Sequence, residues 1–192
     1  MPKLAELIEK TYGKPERRKF ESLTLSEKDF NAIREIGLEV LLKFPDLPGV
    51  CAPMCATYLA YWEQKPRPRM FMVAGEFLVN DLRVWGYDEM SATIQDDLAK
   101  SNLSWDGHYW LVLGEYIIDP SVFRTAYSEK SPPILKQHIL REFGENGGMF
   151  VSNAAGLTEK RLQYIPYAVL SYDQVTSIVF GAESYCDHGS VP

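Results

Sequence analysis

The sequence predicts an α+β fold in a single domain. Three observations carry that reading. Helical spacing dominates the chain up to residue 64, apolar strand-like runs follow at 70–79 and 108–118, and the later strands have helices interspersed among them. A length of 192 residues suits one domain, and 46% hydrophobic against 24% charged residues is enough for a substantial core. No internal repeat, low-complexity tract or linker divides the chain.

Leu4, Leu7, Ile8 and Tyr12 have helical spacing, which predicts a short amphipathic helix over 2–12. The basic cluster Lys14, Arg17, Arg18 and Lys19 stands beside Glu16 and Glu21 and reads as a solvated face of mixed charge. Ser26, with Asp29 three residues on, predicts a helix start close to a capping box. Phe30, Ile33, Ile36, Val40, Leu41 and Phe44 then form an apolar stripe that stops at Pro45. Pro45 to Gly49 is a loop, because two prolines and a glycine discourage helix continuation. The next helix is expected from about Cys51 to about Gln64. Pro53 fits only in its first turn, where the missing N–H has no partner to lose.

Met70 to Ala74 reads as a buried strand, Gly75 as a bend and Phe77 to Val79 as a return. Met90 to Lys100 is a weaker helix, with Ile94 and Leu98 apolar and Asp96 and Asp97 outward. Two short strands surround Gly114 over 108–118. Pro133 to Phe143 reads as a helix ended by the glycine-rich stretch 144–148. Met149 to Val151 and Tyr164 to Leu170 look like strands, and Asp173 to Phe180 like a final helix capped by Gly181.

Composition narrows the function classes. A net charge of -6 argues against nucleic acid or an anionic membrane as the main partner. Three cysteines, an odd count, suggest no disulfide framework. Acidic residues interrupt the apolar positions of the first ten residues, so no secretory signal is visible, and no run of 18 apolar residues occurs. A reducing, cytoplasmic setting is therefore expected.

The chemistry concentrates in three places. Gly49-Val50-Cys51 puts a thiol where a helix starts, and unpaired N–H groups and the macrodipole at that end favour thiolate. A helix N-terminus or neighbouring imidazolium lowers a thiol pKa from about 8.5 to roughly 3.5–7.5. The same N–H groups, that of Cys51 included, suit the oxyanion of a tetrahedral intermediate. His108 opens one strand of the 108–118 pair and Asp119 closes the other. Antiparallel neighbours of that length bring the two together, so the carboxylate can fix the tautomer and stabilise imidazolium. Cysteine, histidine and aspartate are the parts of an activated thiol nucleophile.

Each of these residues has a plainer reading. Cys55 lies one turn beyond Cys51 on the same helical face, where a thiol feels less of the helix end and behaves as a small buried hydrophobe. His138 falls within a helix and looks structural, and His188 lies in a polar tail. Asp119-Pro120 alone is a common strand-ending turn. Trp110 shares a sheet face with His108, either shielding the ion pair or filling the core.

Gly49-Val50-Cys51, His108-Tyr109-Trp110 and Ile117-Ile118-Asp119-Pro120 together resemble the Cys…His…Asp pattern of transglutaminase-like proteins within the papain-like superfamily. The resemblance covers roughly residues 47–122. It implies a nucleophile helix packed on an antiparallel sheet, with Cys51 as nucleophile, His108 as base and Asp119 as orienter. The segments before residue 45 and after 122 match no named family, and the single domain is expected in three parts: a helical part at 1–45, a catalytic core at 46–122, and a part at 123–192 that completes the sheet and cleft. Pro45 to Gly49 contains no glutamine like the one that precedes the nucleophile in papain-type proteases, so the second oxyanion donor is unassigned.

The leading expectation is a cysteine-dependent amide-bond hydrolase (peptidase, amidase or glutamine deamidase) acting through an acyl-thioester on a protein, a peptide or a small amide. No cofactor or metal is called for, and the oligomeric state is open. Transfer to an amine, as in a transglutaminase, is the alternative acyl acceptor chemistry. A second class is a metal site from Cys51, Cys55 and His108 with Cys186 or His188, although Cys-x3-Cys is not the usual pair spacing. Zinc-deaminase and nucleotide-binding signatures do not occur. A third class is a non-catalytic binding protein of the same fold, with Tyr164, Tyr167 and Tyr172 lining a peptide groove.

Overall fold

Local chemistry sets most element boundaries in the computed structural model, which describes residues 2–44, 49–86 and 107–187. The expected helix at Met90 to Lys100, His188 and most of the Pro45 to Gly49 loop lie outside the described residues. Helix α1 spans Pro2–Tyr12 as its apolar spacing predicts. The mixed-charge cluster is itself a helix, α2 (Lys14–Ser22), which the sequence reading left as a solvated face. Only Phe20 gives it an apolar anchor, edge-on to Phe71 with ring centroids 5.9 Å apart, so no stripe marked it. Its charges pair along and across the helices, with Arg17 on Glu9 and Glu21, each at 2.9 Å.

Helix α3 (Glu27–Lys43) opens on a complete capping box: the Ser26 amide donates to Asp29 Oδ2, and the Asp29 amide donates to Ser26 Oγ. It stops at Phe44, before Pro45, and the Arg124 guanidinium donates to the Leu41 and Phe44 carbonyls at that end. Helix α4 (Cys51–Glu63) begins with Cys51 as its first residue and Pro53 as its third.

The segment expected as strand, bend and return is one strand, β1 (Phe71–Val79), and the return is β2 (Leu82–Trp85). Asn80 and Asp81, both left-handed (φ 50 and 64), make the turn between them. Gly75 lies inside β1 at a register shift against β6 and is needed for closeness. A Cβ there would lie 2.0 Å from the Ile165 carbonyl oxygen and 2.7 Å from Trp110 Cη2. Strands β3 (His108–Leu113) and β4 (Tyr116–Asp119) flank Gly114, whose φ of 57 permits the tight connection.

Two six-residue helices, α5 (Val122–Tyr127) and α7 (Ala154–Glu159), were not predicted, being too short to show a period. Between them come α6 (Pro133–Phe143), ended at Gly144, and β5 (Phe150–Ser152). Strand β6 covers Leu162–Val169. The last helix, α8 (Tyr172–Asp187), continues through Gly181, where the sequence suggested a cap.

All strand pairs are antiparallel. The sheet runs β2-β1-β3-β4-β5, and β6 also pairs with β1. The result is an α+β architecture with eight helices and six strands among the described residues. Successive residues of β3 point to opposite sides. Tyr109, Leu111 and Leu113 join Ile33, Met54 and Trp62 in a core under α3, α4 and α8. Trp110 and Val112 join Ile8, Phe77 and Ile139 in a second core under α1, α5 and α6. Among the described residues no helix is long and apolar enough to cross a membrane.

Candidate active site

Helix α4 places Cys51 in its first turn, half-buried, and among the described residues no side chain caps that end. With Pro53 lacking an N–H and the Met54 amide paired to the Val50 carbonyl, the Cys51 and Ala52 N–H groups are the donors at that end. His108 is the first residue of β3 and pairs in register with Gly75 of β1. Asp119 is the last residue of β4 and pairs with Phe150. Because Leu111 faces Ile118, His108 and Asp119 stand diagonally across the two strands at one end of the sheet. His108 Nε2 donates to Asp119 Oδ2 at 2.6 Å, and the two side chains are 2% and 0% exposed.

The Cys51 thiol lies near enough to the His108 side chain to help raise the imidazole pKa. With Nε2 committed to Asp119, Nδ1 is the ring atom left for sulfur. The three residues singled out in the sequence therefore converge, in the order thiol, imidazole, carboxylate.

Asp119 is held from five directions. Its Oδ1 accepts from the Ser121 amide (2.9 Å), the Ser121 hydroxyl (3.0 Å) and the Val122 amide (3.0 Å), where α5 begins. Its Oδ2 accepts from His108 and from the Tyr164 hydroxyl of β6 at 2.9 Å. Burial alone would raise the Asp119 pKa, but His108 and these donors outweigh it and hold it below the usual carboxylate range. Burial likewise pulls His108 down, yet the Asp119 charge and hydrogen bond, with Cys51 adding to them, push it up to about 10. The imidazole is therefore a strong base, itself shielded from bulk solvent beside the half-buried thiol.

Aromatic rings enclose that base. Trp85 of β2 stacks on the imidazole at 4.8 Å, Phe77 lies at 5.4 Å, Tyr164 at 6.0 Å and Trp110 at 6.2 Å. Trp110 does share the face of His108, as its strand position predicted. Trp85 and Phe77 were missed, and Tyr164 was read as a groove wall. Faces of this kind attract an imidazolium and remove competing water.

The remaining candidates sit elsewhere. Cys55 is fully buried, its thiol donates to the Tyr109 carbonyl at 3.4 Å, and burial and the Asp119 charge push its pKa well up. His138 is buried under α6, with Nε2 donating to the Lys160 carbonyl at 2.8 Å. Its Nδ1 accepts from the Asn80 amide (3.2 Å) and the Arg141 guanidinium (3.0 Å). Tyr167 lies beneath Lys3, and Tyr172 is exposed, so the three tyrosines do not form one wall. Among the described residues no three His, Cys, Asp or Glu side chains converge as metal ligands would. The Cys186 side chain and His188 lie outside the described residues.

Comparison with known protein families, with curated proteins and with solved structures returns no match for this chain.

Proposed function

We propose that this chain is a cysteine-dependent amide-bond hydrolase of papain-like or transglutaminase-like construction. The observation that carries the reading is the buried Cys51–His108–Asp119 relay at the uncapped start of α4. A nucleophile helix lying on an antiparallel sheet, with base and orienter on adjacent strands, supports that construction. A reducing, cytoplasmic setting suits a free thiol.

With His108 holding the Cys51 proton as imidazolium, sulfur attacks the amide carbon as thiolate, forming a C–S bond and placing negative charge on the carbonyl oxygen. The Cys51 and Ala52 N–H groups, ahead of Pro53 in α4, receive that charge. The tetrahedral intermediate collapses, the C–N bond breaks, and the imidazolium gives its proton to the departing amine. Water then adds to the thioester with His108 as base, and the thiol leaves with that proton as the acid is released. Asp119 keeps the imidazole in the tautomer and orientation that both steps need.

Alkylation by iodoacetamide, located by peptide mass mapping and followed against pH, tests the reading. Cys51 is expected to react well below pH 8 and to lose that reactivity in His108→Ala, while Cys55→Ser leaves it intact. Model amides incubated with the protein should then yield a thioester on Cys51 that hydroxylamine discharges. Reaction of Cys51 like a free thiol, with no dependence on His108, would overturn the assignment.

A further inference from the structure

Beyond the three residues that form the relay, Asp119 Oδ2 has a second donor that comes from the far end of the chain. We propose that Tyr164 is a positioning residue of this site, holding Asp119 as an acceptor aligned on His108. The inference rests on the assignment of Cys51, His108 and Asp119 as the reacting set.

The geometry is that of a fixed support. Tyr164 pairs in register with Phe77 across β1 and β6. Its ring meets Phe77 at 4.7 Å and Trp110 at 5.2 Å, and lies parallel to Phe150 at 6.3 Å. Strand register and packing on several sides leave the hydroxyl one direction, onto Oδ2 at 2.9 Å. Burial and the Asp119 charge raise the Tyr164 pKa well above its ordinary value, so the phenol stays a donor across the working range.

A consequence follows for the proton on His108. When the imidazole becomes imidazolium, the proton on Nε2 is 2.6 Å from an oxygen that already accepts from Tyr164. An oxygen with both acceptor directions filled is a poor site for that proton, which stays on the ring. Asp119 then stabilises the cation without neutralising it. Oδ1 is held by residues 121 and 122, next to Asp119 itself, whereas Oδ2 depends on a strand 45 residues away. Tyr164 thus couples the sheet edge at β6 to the basicity of His108.

A satisfied core hydroxyl would look similar in stability alone, so the test reads the base itself. Other titratable groups facing the pair are Cys51 and Cys55 from α4, with Tyr109 beside them on β3. The Glu76–Arg83 pair lies one residue beyond Gly75 on β1 and across to β2. All are retained in Tyr164→Phe, which keeps the ring and removes only the hydroxyl. Tyr127→Phe serves as control, because it removes a hydroxyl that bridges the Gly144 carbonyl and the Gly147 amide away from the site.

The measurement is the titration midpoint of His108 by nitrogen-15 NMR, together with the rate of Cys51 alkylation at pH 6. Tyr164→Phe should move the midpoint by about one unit, a tenfold change in the proton equilibrium, and alter the alkylation rate with it. Tyr127→Phe should leave both unchanged. A Tyr164→Phe protein that loses stability but keeps the wild-type midpoint and rate would overturn the inference and leave the relay standing. A wild-type Cys51 that reacts independently of His108 would remove the relay. The midpoint would then report whether the Tyr164–Asp119–His108 coupling exists by itself.

Discussion

The molecule buries two histidines to the same degree, 2% exposed each, and gives them opposite characters. His108 meets a carboxylate on Nε2 and a thiol on its other side, and its pKa is pushed up to about 10. His138 gives Nε2–H to a neutral carbonyl and accepts on Nδ1 from an amide and a guanidinium. Burial, with the Arg141 charge adding to it, holds its pKa below the usual value despite the Lys160 carbonyl. Burial is common to both, so the partners decide. An anionic partner makes a base, whereas a cationic and neutral set makes a neutral strut tying α6 to the β1–β2 turn and the α7–β6 turn.

The sharpest way to break this contrast is to remove the anion. Asp119→Asn leaves a buried imidazole without its counter-charge and should cost about 3–5 kcal/mol in urea denaturation. It should also abolish low-pH alkylation of Cys51. Next in size is His108→Ala, which should slow Cys51 alkylation at pH 6 by roughly 10²-fold or more, the usual range for a lost base. His138→Ala should leave the same rate unchanged, since none of its contacts reaches the site.

The pH dependence of stability separates the two histidines by sign. The His108 contribution should be complete below its unfolded value of about 6.5 and disappear as the pH rises through about 10. Asp119, with a lowered pKa, contributes above its unfolded value of about 3.9 and loses that contribution as the pH falls. His138 must be neutral to fit, so its contribution should be present above about 6.5 and be lost below it. Urea midpoints of wild type against His108→Ala and His138→Ala, taken from pH 5 to 10, should therefore diverge in opposite directions. A common slope would contradict the comparison.

The smallest effect is expected at the strut. Asn80→Ala removes one of two donors to His138 Nδ1 and places alanine at a φ of 50. A loss of about 1–2 kcal/mol should appear in urea midpoints, from a hydrogen bond and a left-handed residue together. Cys51 reactivity should be unaffected.

The candidate site was legible where its geometry is local. A helix start after Pro48 and Gly49, a histidine opening a strand and an aspartate closing the next are positions on single elements or one hairpin, so spacing reveals them. Tyr164, Phe77 and Trp85 reach His108 or Asp119 only through strand register across β1, β2 and β6, which no short window contains. The same limit explains β1. Gly75 reads as a bend that ends a strand, yet it lies within β1, at a register shift against β6, where β3 and β6 crowd in from either side. Helix α2 escaped for another reason. It lies on the body of the protein through Phe20 and the pairs Arg17–Glu9 and Arg69–Glu16, so its sequence resembles a solvated stretch.

The attachment of α1 has a bearing on the order in which this protein can be made. Thr11 Oγ1 donates to the Val169 carbonyl at 3.2 Å, and the Tyr12 hydroxyl to the Leu170 carbonyl at 2.7 Å, both across 158 residues. Helix α1 therefore has hydrogen-bonding acceptors at the end of β6 and just beyond it, which are made 158 residues later. Contacts so distant in sequence form late and slow the search for the native state. Strand β6 is also the carrier of Tyr164, so the event that docks the first helix is the one that completes the shell around Asp119. A growing chain holds Cys51, His108 and Asp119 before it holds all of their support, and the shell around Asp119 closes only once β6 has followed.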